Sequence, residues 1–209
     1  MSDRLEYSRR ELLRHIGAAI SLAAAGEQML SAQDVQHVHQ AVADEKAALK
    51  GRYQPKALTA HEYATLQRLS DLIVPADERS PGALAANAAD FIDFLCAATD
   101  DMKRIYTGGL AWLDDTMKVR YDGKDFLGAT PAQQKEMLDL IAFRENRAKD
   151  PSIGPGIQFF SWARNMVVDA YYTHPIGWKE VAYMGNSAMT HFSVPQEAID
   201  YAIKHSPFA

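Results

Sequence analysis

Seven histidines and 27 carboxylates give this 209-residue chain material for acid–base or metal chemistry, so spacing decides what they could do. His37 and His39 are two positions apart. On a helix that turns them about 200° away from each other and from a shared metal. Neither His-x-x-x-His nor Glu-x-x-His occurs, which leaves out the zincin pattern and the inward-facing pattern of di-iron bundles. Asp77-Glu78 and Asp114-Asp115 are adjacent acids, and neighbours along a helix or loop do not face one another, so both pairs read as solvated. His61 falls in the first turn of a capped helix and reads the same way.

Gly-x-Gly-x-x-Gly, the P-loop, the Gly-x-Ser-x-Gly elbow and Cys-x-x-Cys-His are all missing. The chain is thus expected to hold no dinucleotide, phosphate or c-type haem. Cys96 is the single cysteine, which rules out an intrachain disulfide and a cysteine-based metal site. It lies in an apolar helical stretch and is expected to be a buried small hydrophobe, with a bond to a partner chain as the alternative. No residue is assigned a catalytic, cofactor-binding or metal-binding role.

One segment carries a different signal. Tyr171-Tyr172-Thr173-His174-Pro175-Ile176-Gly177-Trp178-Lys179-Glu180 packs aromatics, histidine, proline and glycine into ten positions. Pro175 disfavours a helical His174, and Gly177 is expected to make the turn, so the segment reads as a helix end whose aromatics seal a core. It reads equally as a contact surface, because Tyr and Trp concentrate in interface hot spots. Tyr171, Tyr172, His174, Pro175 and Trp178, with Phe208 near the C-terminus, are therefore the candidate partner contacts.

The elements that must position them read as helices joined by Pro/Gly loops. Thr59-x-x-Glu62 and Thr130-Pro131-Ala132-Gln133 are capping boxes, each ahead of an apolar stripe at helical spacing. Pro75 closes the first of these helices. Further helices are expected from 83 toward 98, through Tyr106, Leu110, Leu113 and Met117, and from Phe159 to Tyr172 as the central one. Tyr121-Asp122-Gly123-Lys124 reads as a turn and 151–156 as a loop. Sustained period-two alternation is absent, so the fold class is all-α, an irregular helical bundle. The net charge of −5, with no basic block, gives no nucleic-acid surface.

The N-terminus reads as an address. Ser8-Arg9-Arg10, then Leu12, Leu13 and Arg14, precede an Ala/Gly-rich apolar run, a combination that resembles a twin-arginine export signal centred on Arg9 and Arg10. The run is about eleven residues, too short to span a bilayer. The organisation expected is a signal over 1–32, a partly helical linker over 33–58 and a helical domain over 59–209.

Four stretches together carry a family resemblance: Leu69-Ser70-Asp71-Leu72-Ile73-Val74-Pro75-Ala76-Asp77, Pro81-Gly82-Ala83, Gly109-Leu110-Ala111-Trp112-Leu113-Asp114 and 171–178. They resemble the gluconate 2-dehydrogenase subunit 3 family. The resemblance implies a small, non-catalytic subunit of a periplasmic, inner-membrane-associated complex that oxidises a sugar or sugar acid. It implies a large FAD-binding partner of the glucose-methanol-choline type and, in some complexes, a multihaem cytochrome c subunit. The small subunit's leader would engage the twin-arginine translocase for both chains, and the loops at 75–83, 174–178 and 201–208 are expected to hold the partner. Two other readings stand beside it: a subunit that shapes the partner's active site or substrate channel, and a free-standing periplasmic helical binding protein.

Overall fold

The apolar stripes and caps resolve into ten α-helices among the residues described, 32–183, 185 and 194–206, of a computed structural model. They are α1 Ala32–Ala48, α2 Ala60–Ile73, α3 Gly82–Ala85, α4 Ala88–Ala98, α5 Asp100–Arg120, α6 Pro131–Ala142, α7 Asn146–Lys149, α8 Gly154–Tyr172, α9 Pro175–Glu180 and α10 Gln196–His205. No strand occurs among the described residues. Arg9, Arg10 and Phe208 lie outside them, and with them the export signal and one candidate contact.

Both capping boxes form. The Thr59 hydroxyl accepts the Glu62 backbone N–H while the Glu62 carboxylate accepts the Thr59 N–H at 2.8 Å, opening α2. Thr130 and Gln133 repeat the exchange at α6, with Pro131 at its first position. Each box satisfies two orphan donors of a helix start, which contributes about 1 kcal/mol.

α8 is the central helix, packed against α5, α4, α6, α9, α2 and α3. Its contact with α5 is a reciprocal fit of glycine to aromatic ring. A side chain on Gly109 of α5 would land inside the Phe159 ring of α8, and one on Gly156 of α8 would land inside the Trp112 ring of α5. The two helices approach closely because each offers a hole where the other offers a ring. Tyr106 meets Phe159 edge to face at 6.0 Å and is fully buried, with no hydrogen-bond partner for its hydroxyl among the described residues.

The secondary structure departs from the sequence reading in three places. The helical tract expected from 83 toward 98 breaks at Asn87, which sits in the left-handed region at φ 57°. Asparagine tolerates that conformation, and Lys46 Nζ holds its Oδ1 at 2.5 Å. The loop expected over 151–156 is instead a 3₁₀ turn, Pro151–Ile153, running into the first turn of α8. Prolines fit there because the first helical N–H groups need no intrahelical partner. Gly177 lies within α9 rather than in a turn, because Pro175 starts a new helix instead of only ending the old one.

The stretch 33–58, expected to be a partly helical linker, carries α1, which packs along α4 with Val35, Val38 and Val42 buried. Asp93 ties down the segment between α1 and α2. This fully buried carboxylate accepts the backbone N–H groups of Lys56, Ala57 and Leu58 at 2.7 to 3.1 Å and the Tyr53 hydroxyl at 2.9 Å. Four donors make its burial tolerable. Burial, then the Asp93 charge, raises the Tyr53 phenol above its ordinary value.

Candidate partner interface

Loop 75–83 is built from its own polar atoms. Asp77 Oδ1 accepts the N–H groups of Arg79 and Ser80 at 2.8 and 2.7 Å, and the Asp77 N–H donates to the Ser80 carbonyl at 2.8 Å. The Arg79 and Ser80 N–H groups hold the Asp77 carboxyl below the usual carboxylate range. Gly82 closes the loop at φ +74°, where a Cβ would stand 2.6 Å from the Ala76 nitrogen, so only glycine fits.

The loop is pinned to the end of α8 by side-chain hydroxyls. Tyr171 OH donates to Glu180 Oε2 at 2.5 Å, and since a phenol has one proton, the short bond between Ser80 Oγ and Tyr171 OH must be donated by Ser80. Ser80 Oγ in turn accepts the Gly82 N–H at 3.2 Å. Burial, followed by the Glu180 carboxylate, raises the Tyr171 phenol. One chain of hydrogen bonds thus joins loop 75–83, α8 and α9.

His174 makes the corner. It is the N-cap of α9 at φ −83°, ψ 148°, and its Nδ1 accepts the Ile176 N–H at 3.2 Å. A side chain on Gly177 would strike the Tyr171 carbonyl, so α9 folds back tightly on the end of α8. α1 closes the far side. Gln36 Nε2 donates to the Thr173 carbonyl at 2.8 Å, and His39 Nε2 lies 2.9 Å from Thr173 Oγ1. Thr173 Oγ1 already donates to the Asp169 carbonyl at 2.5 Å, so His39 Nε2 carries the proton and donates. His39 also lies on Phe91 at 4.7 Å and meets His174 edge on at 5.2 Å. Burial, then the nearby His174, lowers His39 to about 4, and burial lowers His174 as well.

Onto this braced corner the chain mounts exposed apolar groups. Tyr172 is 39% exposed, Val181 55% and Tyr183 49%. Trp178 is half-buried and meets Tyr183 at 6.1 Å. Of the candidates, Tyr172, Pro175 and Trp178 thus present surface and His174 is half-buried against His39, whereas Tyr171 is 0% exposed and acts as the bolt behind the face. Residue types alone do not single out Val181 and Tyr183, although they come directly after the aromatic segment. α10 adds exposed Ile199, Tyr201 and Ile203 and buries none of its residues.

Asp114 differs from its solvated reading, whereas His61 is exposed as expected and meets it at the surface. Asp114 is buried, with Oδ2 2.6 Å from His61 Nε2 and Oδ1 accepting the Phe126 N–H at 3.0 Å. The signal was available: Asp114 is four residues after Leu110 and three before Met117, on the buried stripe of α5, while Asp115 faces out. Cys96 is buried, and burial raises its thiol. Among the described residues no group of three or more His, Cys, Asp or Glu is placed to hold a metal ion, and no helix is long and apolar enough to cross a membrane.

A family model described as gluconate 2-dehydrogenase subunit 3 matches residues 60–190 of the chain. No curated protein and no solved structure matches it.

Proposed function

Since the chain belongs to the gluconate 2-dehydrogenase subunit 3 family, we propose that it is the non-catalytic accessory subunit of a periplasmic sugar or sugar-acid dehydrogenase complex. Its partner is a large FAD-binding subunit of the glucose-methanol-choline type, with a multihaem cytochrome c subunit as the electron outlet where one is present. The flavin chemistry belongs to the partner. This chain binds it, stabilises it, and through Arg9 and Arg10 directs the folded pair to the twin-arginine translocase, so that the complex works at the periplasmic side of the inner membrane.

The observation that carries the reading is the corner at 171–183. Exposed Tyr172, Val181 and Tyr183 and half-buried Trp178 stand on a base fixed by Ser80, Tyr171 and Glu180. A lasting complex needs a rigid aromatic-rich patch, since side chains already held in place lose less entropy on binding. Both segments of the corner fall within the span that matches the family.

The test is to express the large subunit with and without this chain, fractionate the cells and assay dye-linked dehydrogenase activity. Flavin-bound activity is expected in the periplasm only when this chain is present, and to be lost there when Arg9 and Arg10 are replaced by lysine. Full periplasmic activity of the large subunit alone would overturn the escort role.

A further inference from the structure

Two histidines meet behind the partner face, and their hydrogen bonds fix which nitrogen of each ring holds its proton. His174 supplies two acceptors to the first turn of α9: its Nδ1 takes the Ile176 N–H at 3.2 Å, and its carbonyl takes the Trp178 N–H at 3.1 Å. With Nδ1 accepting, the proton of the neutral ring is on Nε2. His39 has the other arrangement, since its Nε2 donates to Thr173 Oγ1 at 2.9 Å and its Nδ1 keeps the lone pair. The two rings meet edge on at 5.2 Å. His61 has the Asp114 carboxylate at 2.6 Å, but neither His39 nor His174 has an ion-pair partner among the described residues.

A second proton is unfavourable on either ring. On His174 it can go only to Nδ1, which turns the capping acceptor into a donor facing the Ile176 N–H and sets a positive charge at a helix start. On His39 it goes to Nδ1 and charges a half-buried ring against His174. The surrounding elements do little to offset it. On α1 the nearest titratable groups along the chain are His37, which is exposed, and Asp34, five residues away. α4 presents the Phe91 ring at 4.7 Å, and the adjoining Asp90 is held by Lys46 and Tyr63. On α8, burial keeps the Asp169 carboxyl above its ordinary value. On α9, Lys179 is a like charge and Glu180 accepts the Tyr171 hydroxyl. In loop 75–83, Asp77 accepts N–H groups of its own loop, and Glu78 and Arg79 are exposed. Both rings are therefore neutral in the closed corner at neutral pH, and opening it takes up protons below the ordinary histidine value of 6.5.

We propose that this pair is an acid release for the partner face: once the rings take up protons, α9 loses its cap, and Trp178 and Tyr183 leave the positions in which they meet the large subunit. The backbone couples cap to face. α9 is six residues long, Trp178 bonds back to the His174 carbonyl, and the Tyr183 N–H donates to the Trp178 carbonyl at 2.8 Å, so the aromatics move with the cap. The loss runs one way: the face is complete above about pH 6.5 and declines as pH falls. The device acts on the face of the accessory role and rests on that role for its partner, yet the uncapping itself can be read on this chain alone.

The experiment has two arms. In the first, the Ile176 and Trp178 amides of the nitrogen-15-labelled chain are followed by NMR as pH is lowered. Both should shift together with one midpoint below pH 6.5, and the shift should vanish in His174→Asn, whose side chain caps without titrating. In the second, the Kd for the purified large subunit is measured at pH 7 and pH 5. Wild type should bind about tenfold or more weakly at pH 5. Whatever its Kd at pH 7, His174→Asn should show a change of about threefold or less between the two, and His39→Gln a change between that and wild type. Amides that do not move in wild type, a Kd equal at the two pH values, or the wild-type ratio retained in His174→Asn would each overturn the proposal. If the large subunit fails to bind even at pH 7 while the amides shift as expected, the accessory reading falls and the acid-driven uncapping of α9 stands.

Discussion

The α5–α8 contact and the α8–α9 corner are both built from segments rich in glycine and aromatics, yet they use them in opposite ways. Between α5 and α8, Gly109 and Gly156 receive the rings of Phe159 and Trp112, and the fit is apolar, with Phe159 buried and Trp112 half-buried. At the corner, Gly177 lets α9 fold back on Tyr171, and the hydroxyls of Ser80 and Tyr171 lock the turn while Tyr172, Trp178 and Tyr183 face outward. The same residue types thus make a scaffold in one place and a presented surface in the other. What separates them is whether the rings have somewhere inside to go.

The largest expected effect breaks the scaffold side. Gly109→Ala forces a methyl into the buried Phe159 ring and should destabilise by about 3 kcal/mol in urea unfolding. Gly156→Ala should lose about half as much, because half-buried Trp112 can swing toward solvent. Equal losses at the two glycines would mean that Trp112 is as confined as Phe159.

On the presenting side the sign of the contrast reverses. Trp178→Ala should weaken capture of the large subunit about tenfold or more while leaving helical content intact. If it only unfolds the chain, the ring belongs to the core and the contrast collapses. Tyr171→Phe sits between the two regions. It leaves Ser80 and Glu180 without their shared partner and should lower stability by about 1 to 2 kcal/mol in the same urea assay. Its loss of partner capture should track that loss of stability and go no further.

The smallest expected effect is a pH dependence. His39 titrates at about 4 in the folded protein against 6.5 unfolded, so between those values the unfolded chain binds the extra proton. Its contribution is complete above about pH 6.5 and declines as pH falls toward 4. His39→Gln, which keeps a donor for Thr173, should flatten the Tm–pH curve over that window relative to wild type. An unchanged slope would show that α1 does not rely on a neutral His39 at Thr173.

The helices are legible because local chemistry announces them. Thr59 and Thr130 cap by side chains three residues away, and the stripes of α5 and α8 repeat at helical spacing. The partners of the buried carboxylates are not legible. The stripe of α5 turns Asp114 inward, but Asp93 and Asp114 are satisfied by loops 35 to 37 and 12 positions distant, and no local pattern marks where those donors come from. α1 reads as a linker helix without a packed face for a related reason: three valines on a polar helix matter only once α4 lies against them. At the interface, residue types name the segment, but only burial separates Tyr171, the bolt, from Tyr172, the contact.

Hydrogen–deuterium exchange of the chain alone and in complex with the copurified large subunit tests the partner face most directly. Slower exchange on complex formation is expected at amides 75–84 and 172–183, with the buried α5–α8 contact unchanged. Protection that leaves those amides untouched and falls instead on α6 and 143–150 would contradict the account.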